Sequence, residues 1–260
     1  MTPPAKIVWI SDTHLTASGE VEGVACRARL ARAVTEIARH HGDALACVGT
    51  GDLSDTGDAE SYAIVAELTS GLPMPFLPLI GNHDRREAFR AAFPPPGVAM
   101  DRFQQFRWDA GDLTLLCLDT HSPGEDGGRF DAERLGWLDA QLDACRGRRI
   151  LVFLHHPPGP LWLGLQDAIM LHDGAALIAR LAASPEVEYL FCGHVHRPVS
   201  GVIGGLPFTT LRALAHQTRP GHALTDWRDF VARDERPQYG VIIIADDRIV
   251  IQANDLEEPT

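Results

Sequence analysis

Five short stretches of this 260-residue sequence place side chains with oxygen or nitrogen donor atoms directly after an apolar run. In the first stretch, the run 7–10 is followed by Asp12 and His14, which would point the same way if the extended backbone continued past Ser11. Comparable stretches follow the runs 44–48, 75–80, 149–154 and 187–192. Together the five stretches supply Asp12, His14, Asp52, Asn82, His83, His155, His194 and His196.

These donor types are suited to a transition-metal site. Carboxylate and amide oxygens are hard ligands and imidazole nitrogens are borderline ligands, and Fe, Mn, Zn and Co all accept such a mixture. The number of candidate ligands is about what two metal ions need when one carboxylate bridges them at roughly 3.5 to 4 Å. Asp52 is the best candidate for the bridge, because it is the lone acid on the tight turn that begins at Gly49.

The segments around these side chains predict strands that alternate with helices. Helices are predicted over 24–39, 59–68, 131–144 and 174–182, with a further one that ends near residue 93. An alternation of this kind favours a largely parallel sheet, in which the carboxyl ends of the strands share one rim. The candidate ligands are therefore expected to converge. From about residue 199 onward, the runs 199–203, 207–211, 239–245 and 248–252 predict hairpin-rich β structure.

Composition limits the class of protein. The length suits one domain over 1–260, and the formal net charge of −12 argues against a binder of nucleic-acid polymers or of anionic membranes. No apolar run reaches the ~18 to 20 residues of a membrane span, and the first six residues lack the pattern of a signal peptide. The five scattered cysteines read as buried, reduced thiols, so the expected location is cytoplasmic.

The order of these stretches resembles the signature of the calcineurin-like metallophosphoesterases, and more narrowly the bacterial class III cyclic nucleotide phosphodiesterase and glycerophosphodiesterase group. The motifs that carry the resemblance are Asp12-x-His14, Gly51-Asp52-x-x-Asp55, Gly81-Asn82-His83-Asp84, His155-His156-Pro157-Pro158 and Gly193-His194-x-His196. It implies an α/β fold, a four-layer α/β/β/α sandwich of two mixed sheets flanked by helices, with strands beyond 199 completing the second sheet. It also implies that small organic phosphodiesters are hydrolysed at a dinuclear metal centre.

The resemblance implies a ligand set for each metal ion. Asp12, His14, Asp52 and His196 would hold the first metal, and Asp52, Asn82, His155 and His194 would hold the second. The choice of His155 over His156 follows the family's position at the strand end and could be reversed. His156 would then line the pocket, and His121 and His216 are further candidates for substrate contacts. The identity of the metals, which could be Fe, Mn, Zn or Co, stays open.

The chemistry that the resemblance implies agrees with these residue types. Two metals would lower the pKa of a bridging water, so that hydroxide attacks phosphorus near neutral pH. His83 would face the scissile phosphate and either stabilise negative charge or protonate the leaving alkoxide, and Asp84 would orient His83. A nuclease or a phosphomonoesterase of the same superfamily is an alternative. A metal-free scaffold is a third, although scaffolds lose ligands and every ligand position is filled here.

The tail of the sequence predicts an assembly. The run 239–245 is too apolar for an exposed edge strand, so we expect it to be covered, either as a central strand of the second sheet or at a subunit interface. The run 248–252 is a ready hairpin partner and favours the internal position. Leu224, Trp227, Phe230 and Val231 lie near helical spacing, and a short stripe of that kind is often buried in a symmetric dimer. We therefore expect a homo-oligomer built on dimers, with Trp227 and Phe230 at or beside the contact.

Overall fold

The computed structural model describes residues 4–219 and 226–257, a range that excludes Leu224. The strands are β1 (Ala5–Ile10), β2 (Ala46–Thr50), β3 (Phe76–Leu79), β4 (Val98–Ala99), β5 (Phe106–Ala110), β6 (Leu113–Leu118), β7 (Arg149–Leu154), β8 (Val187–Cys192), β9 (Ser200–Ile203), β10 (Leu206–Thr210), β11 (Gln238–Ala245) and β12 (Arg248–Asp255). The α-helices are α1 (Cys26–His40), α2 (Ala59–Thr69), α3 (Arg86–Ala92), α4 (Ala132–Ala144) and α5 (Gly174–Ala182). Short 3₁₀ helices cover Gly164–Ile169 and Trp227–Asp229.

The strands form two mixed sheets. The first has the order β12-β11-β1-β2-β3, and the second has the order β4-β5-β6-β7-β8-β10-β9. In each sheet the strands linked by helices are parallel, and antiparallel strands are added at the edges. The prediction of two mixed sheets flanked by helices is confirmed. The alternation of strands and helices, taken alone, favours one largely parallel sheet, and that expectation is wrong.

The two sheets pack face to face on a shared apolar core. Trp9 of the first sheet meets Phe191 of the second edge to face at 5.3 Å, and Phe191 stacks on Phe153 at 4.8 Å. A second cluster lies between the first sheet and helices α1 to α3, and a third lies between the second sheet and helices α4 and α5. This arrangement explains the continuous apolar runs, because both faces of the central strands are covered.

The C-terminal strands divide between the two sheets. Strands β9 and β10 extend the second sheet, but β11 and β12 join the first, where β11 pairs antiparallel with β1. The prediction that the whole tail completes the second sheet is therefore wrong. The run 239–245 is covered on one side by β1 and on the other by its hairpin partner β12, so it needs no second chain to cover it. Gly240 permits this, since a Cβ there would lie 2.9 Å from the Trp9 ring.

Strands β1, β2, β3, β7 and β8 all run parallel to their helix-linked neighbours, and each ends just before one of the candidate ligands. Both sheets thus deliver polar side chains to one end of the sandwich.

Within 4–219 and 226–257, no helix has the combination of length and apolar composition that crossing a membrane requires.

Candidate metal centre

Four buried side chains from three different loops meet at the end of the sandwich. His14 Nε2 lies 3.0 Å from His196 Nε2 and 3.5 Å from Asp52 Oδ2, and His196 Nε2 lies 3.4 Å from Asp12 Oδ1. These four are the residues predicted to hold the first metal.

A second group of donors lies on the other side of Asp52. His155 Nε2 is 3.3 Å from Asp52 Oδ2 and 3.0 Å from Asn82 Oδ1. His194 Nδ1 approaches the same Asn82 oxygen at 3.0 Å. The structure thus brings together the predicted second set as well. Asp52 Oδ2 is within 3.5 Å of a histidine in each group, so one carboxylate lies between both.

Three of the four histidines are fixed through the ring nitrogen that faces away from the centre. Nδ1 of His14 lies 3.0 Å from Asp55 Oδ1, Nδ1 of His155 lies 2.7 Å from the Thr50 carbonyl, and Nδ1 of His196 lies 2.7 Å from the His216 carbonyl. Each Nδ1 must donate its proton to an oxygen, which leaves Nε2 with a free lone pair directed at the centre.

This arrangement fits a bound cation. With both Nδ1 atoms donating, His14 and His196 point two neutral Nε2 lone pairs at each other across 3.0 Å. Such a contact is repulsive unless a positive charge lies between the two nitrogens. Two buried carboxylates stand beside them, and a mixture of nitrogen and oxygen donors is what first-row transition metals prefer.

The backbone is strained where it supplies these side chains. Among the described residues other than glycine, seven have positive φ, and five of them are candidate ligands. Their φ angles are 53° at Asp12, 42° at His14, 48° at Asp52, 73° at His194 and 50° at His196. The expectation of an extended backbone past Ser11 is therefore wrong, because a left-handed turn directs both side chains inward. Strain of this kind costs about 1 to 3 kcal/mol per residue and concentrates at functional sites.

Glycines allow the loops to close on one another. A Cβ at Gly51 would lie 2.5 Å from His155 Nδ1, and a Cβ at Gly193 would lie 2.5 Å from Ser11 Oγ. Gly51 also has a φ of +93°, a conformation that other residues rarely adopt. The glycines in the two motifs are thus explained by close approach between loops of different sheets.

The pKa values of both carboxylates at the centre lie below their ordinary value. Burial by itself raises the pKa of Asp12, but the neighbouring His196 and His155 outweigh it and hold the pKa at about 2. Burial likewise raises the pKa of Asp52, and His155 and His83 then lower it well below its ordinary value. Two carboxylates that ionise readily give the site the negative charge that a pair of cations requires.

His83 lies at the edge of the centre and faces the cleft. Its backbone N–H donates to Asp52 Oδ1 at 2.9 Å, while its Nδ1 lies 3.0 Å from the Asp55 carbonyl and 3.4 Å from Asp55 Oδ1. Its side chain is 41% exposed. Burial lowers the pKa of His83, but Asp52 and Asp55 more than compensate and raise it to about 10. His83 thus presents a partly exposed imidazole to the cleft.

The predicted role of Asp84 as the residue that orients His83 is wrong. Asp84 instead accepts hydrogen bonds from the backbone N–H groups of Gly81 and Ser54, and from the Tyr62 hydroxyl. These bonds join the loop after β2 to the loop after β3. Asp55 orients His83 in its place. Asp55 belongs to the Gly51-Asp52-x-x-Asp55 motif, but the spacing of that motif does not show which side chain Asp55 contacts.

The other candidate histidines have different positions. His156 does not line the pocket: it is fully buried, with Nδ1 2.7 Å from the Thr120 hydroxyl and Nε2 3.1 Å from the Asp126 carbonyl. His121 is only 5% exposed and lines a smaller hollow beside His83. His216 does line the main cleft, where its ring packs on His196 at 4.9 Å.

A cleft of about 500 Å³ opens over the centre. One side consists of the candidate ligands and His83. The other side is lined by residues from several separate loops, both apolar and polar: Val21, Glu22, Asp126, Gln166, Ile169, Thr218, Trp227 and Phe230. None of these residues belongs to a motif that predicted the metal site from the sequence. Only the fold shows that they face the donors.

Comparisons with known proteins agree with this geometry. The sequence profile described as calcineurin-like phosphoesterase matches residues 5–198. The chain belongs to this family. A probable cyclic nucleotide phosphodiesterase of Rhodopseudomonas palustris is 37% identical over 95% of this chain and 90% of its own length. A glycerophosphodiester phosphodiesterase of Enterobacter lignolyticus is 30% identical over 75% of this chain and 69% of its own length.

A solved structure shares the fold of this calcineurin-like chain. The dimetal phosphatase from Danio rerio superposes with a TM-score of 0.77 at 16% identity and covers 98% of both chains. At this level of identity the superposition supports the fold and not the substrate. The predicted family and fold are confirmed.

Proposed function

We propose that the protein is a metal-dependent phosphodiesterase that hydrolyses small organic phosphodiesters of the cyclic nucleotide or glycerophosphodiester type. The observation that carries the proposal is the position of Asp52, whose Oδ2 lies within 3.5 Å of His14 in one group and of His155 in the other. A carboxylate shared by two donor groups is the feature that a dinuclear centre needs. The family and the names of the two relatives support the same class of reaction.

In this proposal Asp12, His14, Asp52 and His196 hold one metal ion, and Asp52, Asn82, His155 and His194 hold the other. The position of the rings supports His155 as the ligand, because its Nε2 faces Asp52 and Asn82, whereas the ring nitrogens of His156 face Thr120 and the Asp126 carbonyl. When bound, the metals would lower the pKa of a water molecule and neutralise the phosphate oxygens. These ligands accept Fe, Mn, Zn or Co, and the availability of each metal would determine which of them is bound as much as the ligands do.

The remaining residues act on the substrate and on the loops. His83, protonated and partly exposed beside Asp52, donates a proton to the leaving alkoxide or a hydrogen bond to a phosphate oxygen. Asp55 holds the His83 ring and also fixes His14, so it links proton donation to the metal centre. Asp84 accepts hydrogen bonds from Ser54 and Gly81 and thereby joins the loop after β2 to the loop after β3.

The alternatives differ in their substrate. A nuclease would need a basic surface to bind a long polyanion, and the net charge of −12 disfavours it. A phosphomonoesterase would use the same metals. Apolar residues on one side of the cleft would contact an organic group next to the phosphorus, and the names of both relatives support a diester rather than a monoester.

Two properties of the whole protein remain part of this proposal. We place it in the cytoplasm, which the five free and buried cysteines support. We also retain a homo-oligomer built on dimers as a prediction, although Trp227 and Phe230 line the cleft and need no dimer to explain them. Light scattering at micromolar concentration that gives a monomer mass would reject the oligomer.

The proposed activity is tested with a panel of substrates. Purified protein loaded with Mn²⁺ is assayed on cyclic nucleotides, glycerophosphodiesters, phosphomonoesters and single-stranded DNA. We expect turnover of the small diesters at least about tenfold above the other classes, lost on chelation and restored by metal. Turnover restricted to monoesters or to DNA would reject the proposal.

A further inference from the structure

The hollow beside His83 adjoins the main cleft and has a volume of about 450 Å³. The two spaces share Asp55, Asn82 and His83 as lining residues. A phosphodiester has two ester arms, one on each side of the phosphorus. A diester bound next to Asn82 therefore has room for one arm in the main cleft and for the other arm in the hollow.

The hollow contains a positive charge without a partner. Arg85 lines the hollow, its side chain is exposed, and its guanidinium has no ion pair or hydrogen bond within 4–219 and 226–257. The stem of Arg85 lies close to the loop after β2, because a Cβ at Gly57 would be 2.5 Å from Arg85 Cγ. The neighbouring Arg86 differs, since its Nε and Nη2 donate to the Asp119 carboxylate at 3.1 Å. The charge of Arg85 is thus the one available to a bound molecule.

A buried histidine without a partner lines the same hollow. His121 is 5% exposed, and neither of its ring nitrogens has a hydrogen-bond partner among the described residues. Only its Nδ1 is completely shielded, so Nε2 is the nitrogen that a bound molecule can reach. Because Nδ1 has no acceptor, a neutral imidazole can carry its N–H on Nε2 and donate from there. A bound acceptor would satisfy a donor that is otherwise unpaired in a buried position.

The two carboxylates that also line the hollow are already in use. Asp55 Oδ1 lies 3.0 Å from His14 Nδ1 and 3.4 Å from His83 Nδ1. Asp84 is 2% exposed, and its carboxylate accepts hydrogen bonds from backbone N–H groups of both neighbouring loops. Neither acid pairs with Arg85, so the hollow keeps an uncompensated positive charge.

The main cleft has the opposite charge on its outer wall. Glu22 and Asp126 line it, and their carboxylates have no hydrogen bond or ion pair in the part of the chain that the structure describes. A negatively charged group on a substrate arm would be repelled there and attracted to the hollow. The two spaces therefore differ in the arm that each would accept.

We propose that Arg85 and His121 form a subsite for a carboxylate on one ester arm of the substrate. Arg85 pairs with the carboxylate, and His121 Nε2 donates a hydrogen bond to it, while the other arm lies in the main cleft. One unpaired cation matches the single charge of a carboxylate better than the double charge of a phosphate monoester. The subsite rests on the proposed phosphodiesterase function and selects among its substrates by charge.

The test compares two diesters that differ by one group, because glycerophosphoserine carries a carboxylate that glycerophosphoethanolamine lacks. Both are assayed with metal-loaded wild type, Arg85→Gln, His121→Phe and Arg39→Gln. Glutamine keeps most of the Arg85 stem and the backbone N–H that donates to the Tyr62 hydroxyl at 3.0 Å. Arg39 is the control, since it is exposed near the end of α1, does not line the hollow and has no ion pair among the described residues.

We expect the wild type to prefer glycerophosphoserine. Arg85→Gln should lower the ratio of kcat/KM for glycerophosphoserine to that for glycerophosphoethanolamine by about tenfold, mainly through KM, since a hydrogen bond to a charged group contributes on this scale. His121→Phe should lower the same ratio by about threefold or more, and Arg39→Gln should leave it unchanged. A wild type without this preference, or an unchanged ratio in Arg85→Gln or in folded His121→Phe, would overturn the subsite.

A binding measurement separates this inference from the proposed activity. 4-Hydroxybutyrate, an alcohol with a carboxylate and no phosphorus, is added to the protein loaded with diamagnetic Zn²⁺, and 1,4-butanediol is the uncharged control. Saturation-transfer NMR reports contact with the protein. A 4-hydroxybutyrate signal in the wild type that is lost in Arg85→Gln supports the subsite even if no diester is hydrolysed. The same signal in both proteins, no signal in the wild type, or an equal signal from the diol would reject it.

Discussion

The two sides of the cleft differ in how they are built. The metal side consists of buried side chains on strained loops that directly follow the strands, and most of its histidines are fixed by a second hydrogen bond. The other side, here called the organic side, includes the partly exposed residues Val21, Ile169, Trp227 and Phe230 from loops that are distant in sequence. This difference in construction suggests different roles for the two sides of the cleft. Under the proposed function, the metal side would determine which reaction occurs, and the organic side would determine which substrate undergoes it.

The largest effect is expected at the carboxylate shared by the two donor groups. Asp52→Ala should abolish hydrolysis of every diester and reduce the content of both metals, because each group loses a ligand. Metal analysis and activity are measured on the same preparation. The control is Asp43→Ala, which removes an exposed carboxylate paired with Lys6 and should leave both values unchanged. Retention of one full metal equivalent by the Asp52 variant would contradict the shared role.

His83→Ala should slow turnover by roughly 10²- to 10⁴-fold on all diesters while both metals stay bound, because in the proposed function His83 donates a proton and does not ligate a metal. The matched control is His40→Ala on the exposed end of α1. The comparison requires kcat together with metal content. If metal is lost in proportion to activity, His83 belongs to the ligand set and not to proton transfer.

Asp55→Asn should weaken one metal position more than the other. Asp55 fixes His14, which belongs only to the first group, and residues of this kind typically change metal affinity by about 10- to 100-fold. Titration with a chelator should therefore resolve one weakened and one nearly unchanged metal. Equal weakening of both positions would show that Asp55 acts on the whole centre.

The smallest effect is expected from Arg85→Lys in the hollow beside His83, which borders the metal side. This substitution keeps the positive charge, so the ratio of kcat/KM for glycerophosphoserine to that for glycerophosphoethanolamine should fall by less than about threefold, well short of the loss in Arg85→Gln. Metal content should equal that of the wild type in both variants. A loss as large as that of the glutamine variant would mean that the planar guanidinium, and not the charge alone, makes the contact.

Much of the metal side could be predicted from the sequence, because each donor follows its strand within a few residues and parallel strands end at one rim. The pairing of Asp55 with His83 could not be predicted, since it depends on how the loop after β2 folds over the loop after β3. The left-handed turn at Asp12 was missed for a related reason. A run of residues that suits a strand does not show where the extended backbone stops.

The organic side and the tail were harder to predict because they depend on contacts between distant segments. Strand β11 pairs with β1 across more than 230 positions, and hydrophobicity alone gives no preference between two sheets that both need apolar strands. Gln166 and Trp227 lie in short 3₁₀ turns without a motif. Only the folded structure shows that these two residues line the same cleft as the metal side.

The central claim is that two metals share Asp52, and an anomalous-scattering map of crystals grown with excess Mn²⁺ tests it most directly. The account predicts two peaks per chain about 3.5 to 4 Å apart, with the Asp52 carboxylate between them. A single well-ordered peak under these conditions, or two peaks with Asp52 bound to only one, would contradict it.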